Sequence, residues 1–423
     1  MDKLLLKKAA VQSIALMVAV VTSSIALQQD KAVSISANDE IMKSNITSYA
    51  MAGLVPLKDS TIPVISDQQQ AEAIVYPLAA NLTELEAQID QSIREKLSDN
   101  YLVIKKPYED SISMALEDLY VSHSIKLDMT GLQTNDMTSD MILRVRGSEF
   151  YAGDPQYKEI VTVETDEDGS KKEVVTKDYG TDFCHNVTMT VDQDADTGNY
   201  HVQLLLELDS VYAYIVYEDT NYFYIDLKKP SEVYDKILVI DAGHGGKDAG
   251  ALSEDEQIYE KNINLGIALQ LKELLDQENI KVYYTRTDDN TVFLRPRATL
   301  ANSVESDYFI SIHCNTSGVT YPNGTEVLYY DNDFKNVSAK SLAKVISEEV
   351  ADHCELNTRG LVLKQTGDIF IMDQAKVPTV LIEVGYLSNT GDLNYLNNPE
   401  KQKEIAKGIY SGIMRAYNEL PVK

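Results

Sequence analysis

The chain has 423 residues, of which 66 are acidic and 38 are basic, so its formal net charge is -28. Binding to nucleic acid requires clustered Lys and Arg side chains that neutralise phosphates; no such cluster interrupts this acidic sequence, and we expect no nucleic-acid partner. The length exceeds what one hydrophobic core usually serves, so at least two domains are expected.

Residues 1–33 have the pattern of an export signal. Basic residues precede a mostly apolar run over 9–27, and the Ser-Ile-Ala sequence at 24–26 supplies a small-x-small cleavage site. The run also approaches the ~20 residues that span a bilayer, so an uncleaved N-terminal membrane anchor is the alternative. Both interpretations predict an exported protein that acts outside the cell or in its wall, and the second adds a membrane tether.

Residues 34–110 are expected to form a spacer with one helical segment. This helix is predicted over 81–97, where Thr83 and Glu86 have the spacing of a capping box. From 111 to 230 the pattern changes to short stretches that alternate apolar and polar residues, with turn signals between them. This pattern is typical of an all-β, sandwich-like domain. The histidines of this region are isolated in sequence and are expected to be surface or turn residues: His123, His185 and His201.

Beyond residue 230 the pattern becomes α/β. Strands are predicted over 237–241, 281–285, 308–313, 326–330 and 379–383, and helices over 262–278, 294–304, 338–353 and 399–417. Alternating elements of these lengths predict one twisted sheet flanked by helices, over 236–418.

Four side chains of this region lie near predicted strand ends or helix starts: His244, Glu260, His313 and Glu383. Open α/β sheets bind ligands beyond the carboxyl ends of their strands, so we expect these side chains to meet. Two imidazoles and one carboxylate can hold Zn²⁺ and leave a fourth position open to water, and a second carboxylate can move that water's proton.

Each of these residues also has a structural interpretation. His313 could be a hydrogen-bonded histidine at a strand end, Glu260 could interact with a helix dipole, and Glu383 could pair with a buried arginine. His244 lies in a glycine-rich turn, but the spacings of phosphate-binding loops are not met. His353, at the end of a polar helix, is explained as a C-terminal cap.

Three cysteines, Cys184, Cys314 and Cys354, allow at most one internal disulfide bridge. Strand alternation sends Cys314 to the face opposite His313, so it is predicted to be a small buried residue rather than a metal ligand or nucleophile.

These residues, together with the TRTD sequence at 285–288, the LRPR sequence at 294–297 and the EVGYLSN sequence at 383–389, closely resemble the zinc-dependent N-acetylmuramoyl-L-alanine amidases of the amidase-3 type. The resemblance covers about 236–418. It implies that His244, Glu260 and His313 bind Zn²⁺ and that Glu383 is the catalytic glutamate.

The implied substrate is peptidoglycan, cleaved at the amide between N-acetylmuramic acid and L-alanine during cell-wall remodelling or daughter-cell separation. Three further residues are expected to orient the substrate or to brace the rim of the site: Asn315, Arg286 and Arg297. The β region is weakly similar to wall-targeting domains, and we expect a monomer.

One departure from the family pattern is informative. Some relatives carry a long inserted helix after the second histidine that blocks the metal, whereas only about ten residues separate His313 from Gly324 here. A helix and its two connections do not fit into that length, so this form of self-inhibition is not expected. Two other functions remain as alternatives: a zinc peptidase or deacylase acting on another amide, and a non-catalytic wall-binding protein.

Overall fold

The structure, a computed structural model, describes residues 89–106, 113–133, 142–145, 158–165, 171–178, 183–334 and 337–420. The predicted signal or anchor segment and the capping residues Thr83 and Glu86 lie outside the described residues. Of the predicted helix over 81–97, the described part contains a short helix, α1 (Gln91–Arg94), capped by the Asp90 side chain. None of the helices in the described ranges is long and apolar enough to cross a membrane.

The first part of the described chain is built from ten strands. They are β1 (Tyr101–Lys105), β2 (Ser113–Leu119), β3 (Ser124–Leu132), β4 (Ile142–Val145), β5 (Lys158–Thr165), β6 (Lys171–Asp178), β7 (Cys184–Gln193), β8 (Tyr200–Leu208), β9 (Ala213–Glu218) and β10 (Tyr222–Lys228). Two four-stranded sheets, in the orders β4-β1-β10-β9 and β2-β3-β8-β7, are antiparallel throughout, and β5 pairs with β6. Side chains from both sheets form one buried core, for example Leu102 and Ile225 with Leu127 and Leu204, which makes this part a β-sandwich.

Strand β1 begins before residue 111, where the sandwich-like region was expected to start. It is an inner strand, paired with β10 on one side and β4 on the other. Leu102 and Ile104 face the sandwich core, while Tyr101 and Val103 are buried in a second cluster with Ile93 of α1. Because both of its faces are buried, the strand lacks the alternating pattern by which the others were recognised. The boundary at residue 111 therefore misses this strand.

The second part of the described chain contains the predicted α/β elements. Its strands are β11 (Ile237–Ala242), β12 (Lys281–Tyr284), β13 (Tyr308–Asn315), β14 (Thr325–Tyr330), β15 (Asp333–Phe334), β16 (Val337–Ser338), β17 (Thr358–Lys364) and β18 (Thr379–Tyr386). Its helices are α2 (Pro230–Val233), α3 (Glu260–Leu275), α4 (Leu294–Ser303), α5 (Ala339–His353), α6 (Phe370–Gln374), α7 (Thr390–Leu396) and α8 (Pro399–Glu419).

Six of these strands form one mixed sheet in the order β12-β11-β13-β18-β14-β17. The first four are parallel, β14 runs antiparallel to β18, and β17 is parallel to β14. One face packs on α3, α5 and α8 through residues such as Leu271, Ile346 and Ile409; the other packs on α4 and α6 through Leu300 and Ile371. The expected twisted sheet with helices on both faces is therefore confirmed.

The sandwich contacts this sheet through the turn at Tyr120. The Tyr284 backbone N–H donates a hydrogen bond to the Tyr120 hydroxyl at 3.1 Å, and the rings of Tyr120 and Tyr283 meet edge to face at 5.0 Å. Val211 of the sandwich lies in the same buried cluster as Tyr283. The two parts thus share an apolar contact.

The connection between β13 and β14 is short. Residues 316–324, all of which the structure describes, form a loop without a helix. This agrees with the length argument, which leaves no room for an inserted blocking helix between these strands.

Candidate metal centre

Three segments distant in sequence meet at one edge of the sheet. His244 follows β11, His313 lies near the end of β13, and Glu260 begins α3. One donor atom from each of these side chains lies within 4.8 Å of the others. The structure therefore brings together the three residues that were expected to bind metal.

Two carboxylates hold the imidazole of His244, one at each ring nitrogen. Nδ1 lies 2.8 Å from Asp248 Oδ2, and Nε2 lies 3.1 Å from Glu260 Oε2. Burial disfavours the charged ring, but hydrogen bonds and charges of Glu260 and Asp248 outweigh it and raise the pKa of His244. The backbone of His244 is left-handed, with φ 61°, a conformation that non-glycine residues adopt rarely and that recurs at functional sites.

Glu260 is buried at the first position of α3, with 3% of its surface exposed. Its Oε2 accepts the Ala251 backbone N–H at 2.8 Å, and its Oε1 accepts the Cys314 backbone N–H at 3.0 Å and the Asn264 amide at 3.2 Å. Burial would raise the pKa of this carboxyl, but hydrogen bonds from His244 and His313 and their charges hold it well below its usual range. Glu260 is therefore an ionised carboxylate whose two oxygens are fixed in direction.

His313 completes the triad. Its Nδ1 lies 2.9 Å from Glu260 Oε1, and its ring meets that of His244 nearly at right angles, with centroids 4.8 Å apart. The next residue, Cys314, is buried on the opposite side with 4% exposure, as strand alternation predicted. All three cysteines are buried.

Glu383 lies beside His313 on the neighbouring strand β18, at the same register. Its Oε2 is buried and has no hydrogen-bond partner among the described residues. Burial, together with the charges of Glu260 and Glu326, raises the pKa of this carboxyl to about 7, although His313 and His244 act in the opposite direction. No arginine pairs with Glu383 in this part of the chain, unlike the structural interpretation considered for it.

A second buried carboxylate, Glu326, was not singled out from the sequence. It begins the apolar run of β14 and is paired in register with Glu383 of β18. Strand β18 therefore lies between Glu326 on β14 and His313 on β13. Its oxygens accept the Tyr386 hydroxyl at 2.9 Å, Arg359 Nε, and the Asn315 amide at 3.4 Å. The signal that drew attention to Glu383, a charge on an apolar strand, was present here too.

Of the two roles expected for Arg286 and Arg297, orienting the substrate or bracing the rim, their contacts favour bracing. They are only 4% and 2% exposed. Arg286 donates to the carbonyls of Ala242, Gly243 and Lys261, at 2.8, 2.9 and 2.8 Å. These bonds hold the loop that carries His244, so Arg286 braces the rim.

Arg297 braces the same loop through a buried ion pair. Its Nη1 lies 2.5 Å from Asp241 Oδ1, and its Nη2 donates to the His244 carbonyl at 2.7 Å. Asp241 also accepts the hydroxyls of Thr285 and Ser311, at 2.7 and 2.6 Å. Arg297 also donates to the carbonyls of Val292 and Ala242, so its N–H groups are all used and it has no free edge for a ligand.

Asn315 differs from these arginines because it is partly exposed at the end of β13. Its Oδ1 accepts the Thr316 backbone N–H at 2.8 Å, and its amide reaches Glu326. It thus lies on the rim between the triad and the Glu326 side chain.

The donor set fits zinc. Two imidazoles and one carboxylate, held by hydrogen bonds from neighbouring groups, are typical of catalytic zinc sites with an open position. Beside them, on the neighbouring strand, lies the buried Glu383 oxygen without a partner among the described residues.

The α/β part of the chain is similar in sequence to known proteins. The sequence model of the family described as N-acetylmuramoyl-L-alanine amidase matches residues 238–415. The germination-specific N-acetylmuramoyl-L-alanine amidase of Bacillus subtilis (strain 168) is 32% identical over 198 residues, which cover 44% of this chain and 81% of that protein. The chain belongs to the N-acetylmuramoyl-L-alanine amidase family.

The chain is also similar to a second curated relative and to a solved structure. N-acetylmuramoyl-L-alanine amidase CwlM of Bacillus licheniformis is 34% identical over 183 residues, covering 43% of this chain and 68% of that protein. The solved structure of the catalytic domain of CwlV, an amidase from Bacillus (Paenibacillus) polymyxa var. colistinus, is 35% identical and covers 43% of this chain and 98% of its own, with a TM-score of 0.40.

The family settles the choice between the functions left open by the sequence. This protein is an amidase that hydrolyses the bond between N-acetylmuramic acid and L-alanine in peptidoglycan. Its site of action is the cell wall.

Proposed function

We propose that this amidase binds a zinc ion through His244, Glu260 and His313, and that Glu383 moves the protons of the reaction. The observation that carries the proposal is the convergence of three donor atoms within 4.8 Å, beside a buried carboxylate oxygen without a partner. Zinc in this site would polarise the amide carbonyl and lower the pKa of water.

The neighbouring groups orient the three ligands. Asp248 holds His244 by one ring nitrogen, so the other nitrogen is directed toward the centre. The backbone N–H groups of Ala251 and Cys314 hold the two oxygens of Glu260. Hydrogen bonds of this kind determine the tautomer and the direction of metal ligands. They therefore reduce the reorganisation of these side chains that zinc binding requires.

Glu383 is suited to accept and return a proton. A carboxyl whose pKa lies at about 7 is close to the pH at which acid–base catalysis is most effective in a neutral environment. In the proposed reaction, Glu383 accepts the proton of the attacking water and then donates it to the departing nitrogen of L-alanine. Its position beside His313 places it at the same edge of the sheet as the ligands.

Asn315 is proposed to contact the substrate. It is partly exposed and lies two residues beyond His313 on the same strand. Its backbone carbonyl accepts the Leu387 N–H at 2.8 Å, which ties the rim of β13 to the segment after β18. A side-chain amide at this place can donate to a peptide carbonyl of the substrate.

The remaining parts of the chain are proposed to bring the enzyme to its substrate. The N-terminal segment exports the protein and, if it is retained, tethers it to the membrane. The β-sandwich is proposed to bind the wall, and the enzyme is proposed to act as a monomer. Support for export comes from the charged and apolar pattern of residues 1–33 and from the location of peptidoglycan outside the membrane.

Metal analysis of the full chain tests the zinc centre. The purified protein should contain one zinc ion per chain and should release free N-terminal alanine from purified cell-wall sacculi. His313→Ala should lose both the zinc and the activity, whereas His353→Ala should keep both, since the ring of His353 bonds to the Glu349 carbonyl and to Ser411 at the end of α5. A full zinc content in His313→Ala would show that the ligand assignment is wrong.

A further inference from the structure

Asn264 carries an amide that is buried one helical turn after Glu260. It lies on α3 and is 0% exposed, and its neighbours on the same helix, Ile263 and Ile267, belong to the apolar core of the sheet. A polar group in such surroundings is unfavourable unless its hydrogen bonds are made. The partners of this amide therefore indicate what it holds in place.

Both ends of the amide bond to the segments that carry the metal-binding residues. Nδ2 donates to Glu260 Oε1 at 3.2 Å and to the carbonyl of Gly243, the residue before His244, at 3.3 Å. Oδ1 accepts the thiol of Cys314, the residue after His313, at 3.4 Å. One side chain thus joins α3 to the loop after β11 and to the end of β13.

The partners also fix the orientation of the amide. The Gly243 carbonyl and the ionised Glu260 carboxylate can only accept hydrogen bonds, whereas the Cys314 thiol can donate one. A reversed amide would direct its oxygen at two acceptors and leave both without a donor. The nitrogen of Asn264 therefore has to face Glu260.

The two oxygens of Glu260 differ in the donors that hold them. Among the described residues, Oε1 accepts the Asn264 amide and the Cys314 backbone N–H, at 3.2 and 3.0 Å. Oε2 accepts the Ala251 backbone N–H at 2.8 Å. A carboxylate oxygen has about two acceptor positions. The amide and backbone donors therefore fill Oε1, but they leave one position on Oε2.

Each oxygen of Glu260 also lies against one imidazole. His313 Nδ1 is 2.9 Å from Oε1, and His244 Nε2 is 3.1 Å from Oε2. Both rings belong to the proposed metal centre, so a bound metal ion would replace contacts of this kind. The donors from Asn264 and from the backbone would remain.

We propose that Asn264 is a positioning residue that makes Glu260 bind the metal through Oε2 alone. The proposal rests on the zinc centre proposed above and specifies how one of its ligands is used. A carboxylate bound through both oxygens would occupy a coordination position that the reaction needs for water. By holding Oε1, Asn264 keeps that position open.

A crystal structure of the zinc-loaded full chain tests this assignment without any variant. The Glu260 oxygen that accepts the Ala251 N–H should lie about 2.0–2.2 Å from zinc, and the oxygen beside Asn264 should lie beyond bonding distance. Zinc bound to the oxygen beside Asn264, or to both oxygens, would overturn the proposal. Absence of zinc from these residues would overturn the zinc centre itself.

Asn264→Leu removes the amide and keeps a side chain of nearly the same shape. Because Oε1 then loses a donor, Glu260 should bind through both oxygens and should be less firmly oriented. Zinc affinity, measured by competition with a chelator, should fall about 10- to 100-fold, the range seen when a hydrogen-bond partner of a metal ligand is lost. Cobalt(II) in place of zinc reports the coordination, because four-coordinate cobalt absorbs visible light more strongly than five-coordinate cobalt. The absorption should therefore be weaker in the variant than in the wild type.

Asn302→Leu is the matched control. Asn302, on α4, also joins two segments through both ends of its amide: it donates to the Gln374 carbonyl at 2.9 Å and accepts the Lys376 backbone N–H at 2.7 Å. Both variants should lose stability, but Asn302→Leu should keep the zinc affinity and the cobalt absorption of the wild type. Wild-type values in Asn264→Leu, or equal changes in the two variants, would show that Asn264 only supports the core. If Asn264→Leu does not fold, the zinc-loaded crystal decides the question.

Discussion

The Cα atom of Gly243 lies against the imidazole ring of His313. A Cβ added at Gly243 would lie 2.3 Å from His313 Cε1 and 2.4 Å from Nε2, far inside any tolerated contact. We therefore expect Gly243→Ala to displace the ring and to lower zinc affinity about 10- to 100-fold, the range seen when support of a metal ligand is lost. Competition with a chelator measures this affinity.

Gly318→Ala is the control for that substitution. Gly318 lies on the loop after β13, and a Cβ there would meet nothing within 4 Å, so zinc affinity should be unchanged. Equal zinc affinity of the two variants would show that the close contact at Gly243 does not position His313.

Glu383→Gln separates metal binding from turnover. The variant should keep its zinc, since Glu383 is not one of the three converging donors. Its kcat should fall about 10²- to 10⁴-fold, because a side-chain amide cannot accept the proton. The measurements are zinc content and the rate of release of N-terminal alanine. Glu273, an exposed residue of α3, provides the control Glu273→Gln, which should keep both zinc and turnover. Wild-type turnover in Glu383→Gln would exclude Glu383 as the proton acceptor.

The same substitution should change the pH dependence of stability in the zinc-free protein. Burial, first among the causes, raises the pKa of Glu383 from 4.5 to about 7, so the folded state binds this proton more tightly than the unfolded state. The resulting stability is fully present below pH 4.5 and is lost as the pH rises through about 7. The free energy of unfolding of Glu383→Gln, relative to that of the wild type, should therefore increase by up to roughly 3 kcal/mol between pH 5 and pH 8.

Thermal unfolding in the presence of a chelator, at both pH values, checks this expectation. A constant difference in Tm between variant and wild type across the range would mean that Glu383 keeps an ordinary pKa in the folded protein.

The buried pair of Arg297 and Asp241 supports the loop that carries His244. Arg297→Met leaves the carboxylate of Asp241, which is 0% exposed, without its charged partner. Loss of one member of a buried ion pair costs about 3–5 kcal/mol, so the variant should be strongly destabilised and should bind zinc more weakly. Denaturation midpoints and zinc content are the measurements.

Arg295→Met is the control, because Arg295 lies on the same helix and is exposed. The double variant Asp241→Asn, Arg297→Met should recover part of the stability, since the unpaired charge is gone. If Arg297→Met were as stable as Arg295→Met, the ion pair would not support the loop.

Much of the α/β architecture could be predicted because its signals are local. Apolar runs such as the one ending at Asp241 predict buried strands, and the predicted helices coincide closely with α3, α4, α5 and α8. Strand β17 was missed because it is an edge strand of mostly partly exposed residues. Strand β1 was missed for the opposite reason, since it is buried on both faces.

The sequence predicted the residues of the candidate site whose type and position in a strand or helix both indicate a functional role. Histidines and a glutamate at strand ends and a glutamate at a helix start predicted the convergence of His244, Glu260, His313 and Glu383, and the family resemblance assigned their roles. The arginines could not be assigned in this way. An arginine has the same appearance in a sequence whether it faces a ligand or, like Arg297, is enclosed by backbone carbonyls.

By itself the sequence determined most of the helices and strands of the α/β part, which chemical groups the chain offers and which family it belongs to, because these follow from residue type and short-range pattern. The tertiary structure decided which groups touch. It buried Arg286 and Arg297 under the His244 loop, set Glu326 beside Glu383, and placed the Asn264 amide between Gly243 and Cys314. Those outcomes depend on the pairing of strands far apart in the chain, and register between such strands is a property of the folded sheet rather than of any one segment.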